Sequence, residues 1–234
     1  MNEAGFFKVS SRVTVQDGVY EQLRHALMWG KFEPSQVMTI SSLAAEFKTS
    51  HMPVREALRR LVAENGLEIA RNGSAQVPAV SRGRLDDLSR ARSSLEGLAT
   101  ELATPLMTAT DIDRSLGLAK EHEALGRAGK VYDMLRKNQE FHFSIYEKSA
   151  SEILPQMIEV LWLRFGPYMR ILSDLIKQQL DDGVIPSYST YHYDMIEAFR
   201  AGKAQSAGRL MVRDIEVTQK LLQDICADWN IGVR

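Results

Sequence analysis

The segment that most constrains this chain runs from Ser50 to Leu61, SHMPVREALRRL. Its apolar side chains recur at the spacing i, i+3, i+4 and i+7, typical of a helix with one buried face: Val54, Ala57, Leu58 and Leu61. Three arginines lie off that face: Arg55, Arg59 and Arg60. Guanidinium groups bond phosphate oxygens and the O6/N7 edge of guanine, so this short helix is suited to reading DNA. An ordinary amphipathic helix with a solvated basic face is the alternative.

The composition is that of a globular protein. Of the 234 residues, 44% are hydrophobic and 25% are charged, and the length suits two domains. No apolar run reaches about 18 residues and the N-terminus lacks the apolar core of a signal peptide, so we expect no membrane span and no leader. The single cysteine fits a reducing, cytoplasmic setting. Because the net charge is only −1, DNA binding must depend on where the positive charges are placed.

The residues around this segment predict a winged helix-turn-helix. Two helical stripes precede it: 19–28 and 39–47. Within the segment, Ser50 suits the N-cap position, and Pro53 lies in the first turn, where a missing N–H does no harm. After the segment, two short extended runs flank the dipeptide Asn72-Gly73, which favours a β-hairpin.

Beyond this wing the sequence predicts only helices. The helical patterns cover 85–104, 111–128, 131–148, 152–180 with a break near Gly166-Pro167, 187–201 and 204–226. The predicted fold class is therefore mainly α: an N-terminal winged helix-turn-helix and a C-terminal all-α helical-bundle effector domain. The predicted boundaries are a flexible arm at 1–16, a DNA-binding domain at 17–78, a linker at 79–84, and an effector-binding and dimerisation domain at 85–228.

The stretch LAAEFKTSHMPVREALRRLVAENGL resembles the helix-turn-helix of GntR-family bacterial transcription regulators. The positions that match the family pattern in register are Leu43, Ala44, Ser50, Pro53, Val54, Arg55, Glu56, Ala57, Leu58, Leu61, Gly66 and Leu67. The helical half is similar to the FCD ligand-binding domain of the FadR-like branch, whose Arg-x-x-Leu-Glu motif appears as Arg92-Ser93-Ser94-Leu95-Glu96. Six helices rather than seven resemble the VanR subgroup.

The resemblance implies a dimeric DNA-binding regulator, usually a repressor, whose helical domain senses a small metabolite. It also implies DNA contacts from the second helix, the recognition helix and the wing tip: Ser41, Ser50, His51, Met52, Pro53, Arg55 and Gly73. We add Arg59 from the basic helix face. The family's usual Arg-Thr after the serine is His51-Met52 here, so the family's operator bases do not transfer. For Ser50 and Pro53, a role in capping the helix alone is the alternative to a DNA contact.

Helices of the C-terminal half place polar groups on their core-facing stripes. The groups are Arg92, Asn138, His142, His192 and Asp214. Burying such groups unpaired costs on the order of several kcal/mol, so they must find partners inside the domain. Each one alone is commonly a satisfied core residue, whereas together they indicate a polar cavity within a helix bundle.

The metal pattern of FCD domains, Asp-x3-His followed by two further histidines, falls on Asn138, His142, His192 and Asp214. Two imidazoles match, and the carboxylate stands at the last position instead of the first. Two histidines and one carboxylate suit Zn²⁺, Ni²⁺, Mn²⁺ or Fe²⁺, so the resemblance implies a divalent metal. The alternative is a metal-free cavity in which these side chains hydrogen-bond one another or the ligand.

Arg92 is the leading candidate to bind an anionic effector, because its fork binds a carboxylate bidentately. A buried ion pair with Glu96, one turn later, is the alternative. Arg164 and Arg170 are further candidates for this pocket.

The expected function is that of a cytoplasmic, homodimeric repressor of a metabolic operon that binds double-stranded operator DNA and responds to a small organic acid. We expect no enzymatic activity and no membrane partner. The alternative is a small helical metalloenzyme with a DNA-binding appendage. Against it, the sequence has no general base at a fixed offset from a histidine, such as the Glu of H-E-x-x-H.

Overall fold

The computed structural model describes residues 14–181 and 189–225, and all structural statements below concern those ranges. Its elements are α1 Val15–Met28, β1 Val37–Met38, α2 Ile40–Glu46, α3 His51–Ala63, β2 Glu68–Ile69, β3 Ala75–Gln76, α4 Arg82–Ala103, α5 Ala109–Arg127, α6 Val131–Tyr146, α7 Ile153–Asp181, α8 Thr190–Arg200 and α9 Ala204–Ile225. A short 3-10 turn, Thr104–Leu106, follows α4. The predicted mainly α fold class is confirmed.

The first helix begins earlier than the apolar stripe predicted. Thr14 occupies its N-cap and forms a capping box with Asp17: the threonine hydroxyl accepts from the Asp17 N–H, and the aspartate accepts from the Thr14 N–H. These two bonds satisfy N–H groups that a helix start leaves free. Val15 in the first turn is exposed, so the first turn is absent from the hydrophobic pattern.

The second and third helices and a small sheet follow as predicted. Lys48, with a φ of 51°, turns the chain between α2 and α3. Strands β2 and β3 pair antiparallel, with Glu68 opposite Gln76, around a turn in which Gly73 has a φ of 82°. Strand β1 was not predicted; its two residues pair with β3, giving the order β1-β3-β2.

The C-terminal half of the described chain contains helices α4 to α9 and no strand. Helix α4 begins inside the predicted linker, because Ser81 caps it and accepts a hydrogen bond from the Arg84 N–H. The predicted ends at 187–188 and at 226 lie outside the described residues. No helix of the described ranges is long and apolar enough to cross a membrane.

Helix α7 is continuous over 29 residues and passes through Pro167, so the predicted break near Gly166-Pro167 is wrong. A proline inside a helix removes one backbone hydrogen bond. Here the neighbouring side chains are buried on more than one face of the helix, among them Leu163, Phe165 and Tyr168. Tertiary packing therefore outweighs the local preference for a break.

Helix α7 also joins the N-terminal, winged half of the molecule to the helical half, because α1 packs on it. Gly166 is necessary for this contact: a Cβ there would lie 2.2 Å from the carbonyl oxygen of Leu27 on α1. Gly66, just after α3, similarly faces the side chain of Leu163. From α6, the side-chain oxygen Oε1 of Gln139 accepts a hydrogen bond from the Trp29 indole N–H at 2.5 Å. The winged half is thus seated closely on the helical half.

Candidate DNA-binding surface and effector cavity

The recognition helix α3 buries its apolar stripe completely and exposes its N-terminal end. His51, Met52 and Arg55 are exposed, with 56% of Met52 accessible. Ser50 occupies the N-cap position, yet its side chain makes no capping hydrogen bond. The serine hydroxyl is therefore not engaged in capping and is available to an external partner.

The three arginines of this helix differ in what they contact. Arg60 pairs with Glu64 at 3.1 Å and lies 3.6 Å from the centre of the Tyr20 ring, so it faces α1 rather than an outside partner. Arg59 pairs with Glu56 at 3.0 Å on the exposed surface. Within the described residues, Arg55 forms no ion pair, which leaves its guanidinium available for DNA.

The other candidate DNA contacts lie at exposed positions of neighbouring elements. Ser41 lies exposed in the first turn of α2, and Gly73 lies exposed at the tip of the wing. Pro53 is half-buried in the first turn of α3. Ser41 and Gly73 are thus accessible to an outside partner, and their contact with DNA stays a prediction.

The helical half encloses a cavity of about 400 Å³, lined by side chains from α4, α5, α6, α7, α8 and α9. Two of the candidate metal ligands, His142 and Asp214, line it, and His192 lies beside them. Single ligand atoms from His142, His192 and Asp214 lie within 4.8 Å of one another. Asn138 lines the same cavity one turn before His142. Three helices therefore bring together the polar side chains that the sequence placed on separate stripes.

A hydrogen-bond chain fixes the protonation of His142. The Tyr146 hydroxyl donates to Glu96 Oε2 at 2.5 Å, and the same hydroxyl lies 3.1 Å from His142 Nδ1. An ionised carboxylate is the strongest acceptor within reach, so the tyrosine O–H donates its hydrogen bond to Glu96. The Nδ1–H of His142 must then donate to the tyrosine oxygen. The Nε2 lone pair of His142 then faces Asp214 Oδ2 at 3.4 Å.

Two acceptors facing each other at this distance repel unless a proton or a cation lies between them. Burial lowers the pKa of His142 and of His192 well below the usual value, so both imidazoles are neutral at pH 7. Burial raises the pKa of Asp214 to about 7, against the opposing effect of the Arg92 charge. In addition, Nδ1 of His192 is buried with no hydrogen-bond partner. The facing His142 Nε2 and Asp214 Oδ2 and the unpartnered His192 Nδ1 are suited to a bound cation.

Arg92 forms the ion pair with Glu96 that was the alternative to effector binding. Its Nε and Nη2 lie 2.6 and 3.3 Å from the two Glu96 oxygens, and both side chains are buried. The guanidinium also lies against the rings of Trp162 and Phe165, and the Trp162 indole donates to Glu96 at 3.1 Å. The Arg92 guanidinium lines the cavity, but the Glu96 carboxylate already balances its charge.

The structure places Arg164 and Arg170 away from this cavity. Arg170 pairs with Glu33, which precedes β1, at 2.7 Å and with Asp174 at 3.1 Å. Arg164 does not line the cavity, and its Nε is buried without a hydrogen-bond partner. The cavity-facing stripe of α7 passes through Trp162, Phe165 and Met169, so both arginines lie on other faces of that helix.

Sequence reasoning missed His122, on α5, which also lines the cavity. It is 3% exposed; its ring centre lies 5.2 Å from that of His192, and its Nδ1 lies 2.9 Å from the Ser189 hydroxyl. Burial lowers the pKa of His122 to about 4. The helical spacing could have identified it, because His122 falls on the buried stripe of α5 with Ile112 and Ser115.

A winged helix-turn-helix joined to an all-α domain with an internal polar cavity is the architecture of ligand-responsive, DNA-binding transcription regulators. A model of the bacterial regulatory proteins of the gntR family matches residues 15–77, and a model of the FCD domain matches residues 87–217. The chain belongs to the GntR family of bacterial transcription regulators and carries an FCD domain.

Individual relatives agree with this assignment. The HTH-type transcriptional regulator McbR of Escherichia coli K12 is 34% identical over 158 residues, which is 68% of this chain and 72% of McbR. The HTH-type transcriptional repressor GlaR of the same strain is 30% identical over 156 residues, 64% of this chain and 70% of GlaR.

A solved structure of E. coli McbR/YncC superimposes with a TM-score of 0.84 at 26% identity, covering 92% of this chain and all of that one. The matched proteins are transcription regulators rather than enzymes, which leaves the metalloenzyme alternative without support.

Proposed function

We propose that the chain is a homodimeric repressor in which the winged half, 17–78, binds operator DNA and the helical half, 85–228, binds a small organic acid. Binding of the acid lowers the affinity for DNA. The name of the relative GlaR, a transcriptional repressor, supports the direction of this effect. A dimer presents two recognition helices, which fit a two-fold symmetric operator.

The DNA contacts of this proposal centre on Arg55, with support from Ser41, Ser50, His51 and Met52. Arg55 is exposed at the N-terminal end of α3 and has no ion pair among the described residues. Guanidinium to guanine is the commonest specific contact in the major groove. His51 adds a group that donates or accepts, and the Met52 side chain suits a thymine methyl group.

The part of the cavity lined by Asn138, His142 and Asp214 suits a divalent metal. Its ligands would be His142, His192 and Asp214, with Asn138 beside them. The opposed His142 Nε2 and Asp214 Oδ2 and the unpartnered Nδ1 of His192 support this assignment. A metal bound there would attract an anion and offer coordination positions for its carboxylate oxygens. Tyr146 orients His142 through Nδ1, as a carboxylate or carbonyl does around other metal-binding histidines.

The observation that carries the proposal is the double role of α7. Its residues Phe165 and Met169 line the cavity, while Gly166, between them, packs on the Leu27 carbonyl of α1. A small displacement of α7 by a bound acid therefore also moves α1 and the winged half, because the two helices are too closely packed to move independently. In a dimer such a displacement changes the spacing of the two recognition helices.

The test uses fluorescence anisotropy with labelled DNA from the promoter region beside the gene, with the full-length protein and with Arg55→Ala. We expect Arg55→Ala to bind about fivefold to a hundredfold more weakly, equivalent to about 1–3 kcal/mol for one bidentate contact. Arg114→Ala, which removes an exposed arginine on α5, is the matched control and should bind like the wild type. Unchanged DNA affinity in Arg55→Ala would refute the assigned role.

A further inference from the structure

The cavity has a polar end and an apolar end. The arginine, imidazole and carboxylate side chains that line it are Arg92, His122, His142 and Asp214, two of which are candidate metal ligands. A second set of lining side chains is wholly apolar, and we call it the apolar arm: Met134, Leu135, Met169, Leu172, Ile176 and Leu221. All six belong to, or pack against, one hydrophobic cluster of the helical half.

Two helices, α6 and α9, each contribute one residue to the polar end and one to the apolar arm. On α6, Leu135 lies seven residues before His142, and on α9, Leu221 lies seven residues after Asp214. A helix rises 1.5 Å per residue, so each arm residue lies about 10 Å from its polar counterpart. Because His142 and Asp214 are in contact, the two leucines face a common space about 10 Å away. The cavity is therefore elongated, and its lining changes from ionisable side chains at one end to apolar side chains at the other.

The charges along the cavity restrict which acids fit. No ionisable side chain among the described lining residues belongs to the apolar arm. A second carboxylate on the effector would enter this arm without a partner, which costs several kcal/mol. A hydrocarbon body would instead be removed from water against leucine, isoleucine and methionine side chains. The arm thus selects against small dicarboxylic and hydroxylated acids.

From this geometry we infer that the effector is a monocarboxylic acid with an unbranched or aryl hydrocarbon body of about six to eight carbons. Its carboxylate lies at the polar end and its body fills the apolar arm. At about 1.2 Å per bond of an extended chain, 10 Å corresponds to about eight bonds. This inference rests on the proposed function, because it specifies the acid that the same cavity binds.

The experiment measures binding of acetate, butyrate, hexanoate, octanoate and decanoate to the full-length protein by titration calorimetry. Trp162 lines the cavity, so quenching of tryptophan fluorescence gives a second measurement. We expect affinity to rise about threefold to fourfold per methylene group up to about eight carbons and then to stop rising. Succinate should bind more weakly than butyrate.

Two variants locate the hydrocarbon body. Leu221→Phe shortens the arm and should weaken octanoate binding more than tenfold while leaving butyrate unchanged. Leu172→Ala lengthens the arm and should move the optimum to a longer chain. The matched control is Leu106→Phe, at an exposed position outside the cavity, which should bind every acid like the wild type. Thermal unfolding checks that each variant is folded.

The outcomes separate this inference from the proposed function. Affinity that is independent of chain length, or an equal loss for every acid in Leu221→Phe, would overturn the apolar arm but leave the acid effector in place. No binding of any acid to the folded protein would overturn both. A chain-length optimum that moves with the two variants supports the inference.

Discussion

Replacing Gly166 by alanine tests how closely the winged half is seated on α7. The added Cβ would lie 2.2 Å from the Leu27 carbonyl oxygen and 2.9 Å from its carbon. Cβ atoms essentially never come within 3.0 Å of such neighbours, and a backbone carbonyl cannot rotate away as a side chain can. Helices α1 and α7 must therefore move apart by nearly 1 Å in this variant.

The expected change in the free energy of unfolding follows from two opposing effects. Overpacking costs about 1–3 kcal/mol, and the upper part of that range applies because the crowded atoms belong to the backbone. Alanine in place of glycine inside a helix returns about 1 kcal/mol. We therefore expect Gly166→Ala to lose about 1–2 kcal/mol of stability.

Urea unfolding followed by circular dichroism measures this difference, and Gly117→Ala is the matched control. Gly117 is also inside a helix, α5, but a Cβ there would meet nothing within 4 Å. The control should gain up to about 1 kcal/mol, since it keeps the helix benefit without the clash. If both variants moved the unfolding midpoint in the same direction by similar amounts, the close contact between α1 and α7 would be refuted.

Three further predictions concern the helical half. Glu96→Gln removes the charge that pairs with buried Arg92 and should cost about 3–5 kcal/mol in urea unfolding; a loss under about 1 kcal/mol would contradict the ion pair. Thr108→Ala removes the capping box of α5 and should cost about 1 kcal/mol, whereas Thr110→Ala, at an exposed position two residues later, should cost much less. Asp214→Ala should abolish metal retention in elemental analysis of the purified protein; under a tenth of an equivalent in the wild type would refute the metal site.

The helices could be predicted from the sequence because each has a local apolar period and recognisable ends. Strand β1 could not, because its two residues are ordered by pairing with β3, which lies far along the chain: Val37 lies opposite Gln76. The continuity of α7 through Pro167 also escaped prediction. Proline is a local signal, whereas the packing that keeps this helix continuous involves α1 and the helices around the cavity.

The three candidate metal ligands could be predicted from the sequence, whereas His122 and the partners of the arginines could not. Spacing alone placed His142, His192 and Asp214 on core-facing stripes, and the fold brings them together. Spacing could not decide whether Arg92 faces Glu96 or a ligand, because both lie within its reach and only the positions of Tyr146 and Trp162 fix the carboxylate. Arg170 was misplaced for a similar reason: its partner Glu33 lies in the winged half.

The charges at the polar end connect the metal of the proposal to its acid. Arg92 and Glu96 neutralise each other, and burial keeps the histidines uncharged. An acid that entered the cavity without a cation would thus meet Asp214 and no unpaired positive side chain among the described lining residues. One divalent ion beside one carboxylate leaves a net positive charge, which attracts an anion strongly in a partly dry cavity. Acid binding should therefore disappear when a chelator removes the metal. If acid binding survived complete removal of the metal, the acid would not need the metal and this link between them would be refuted.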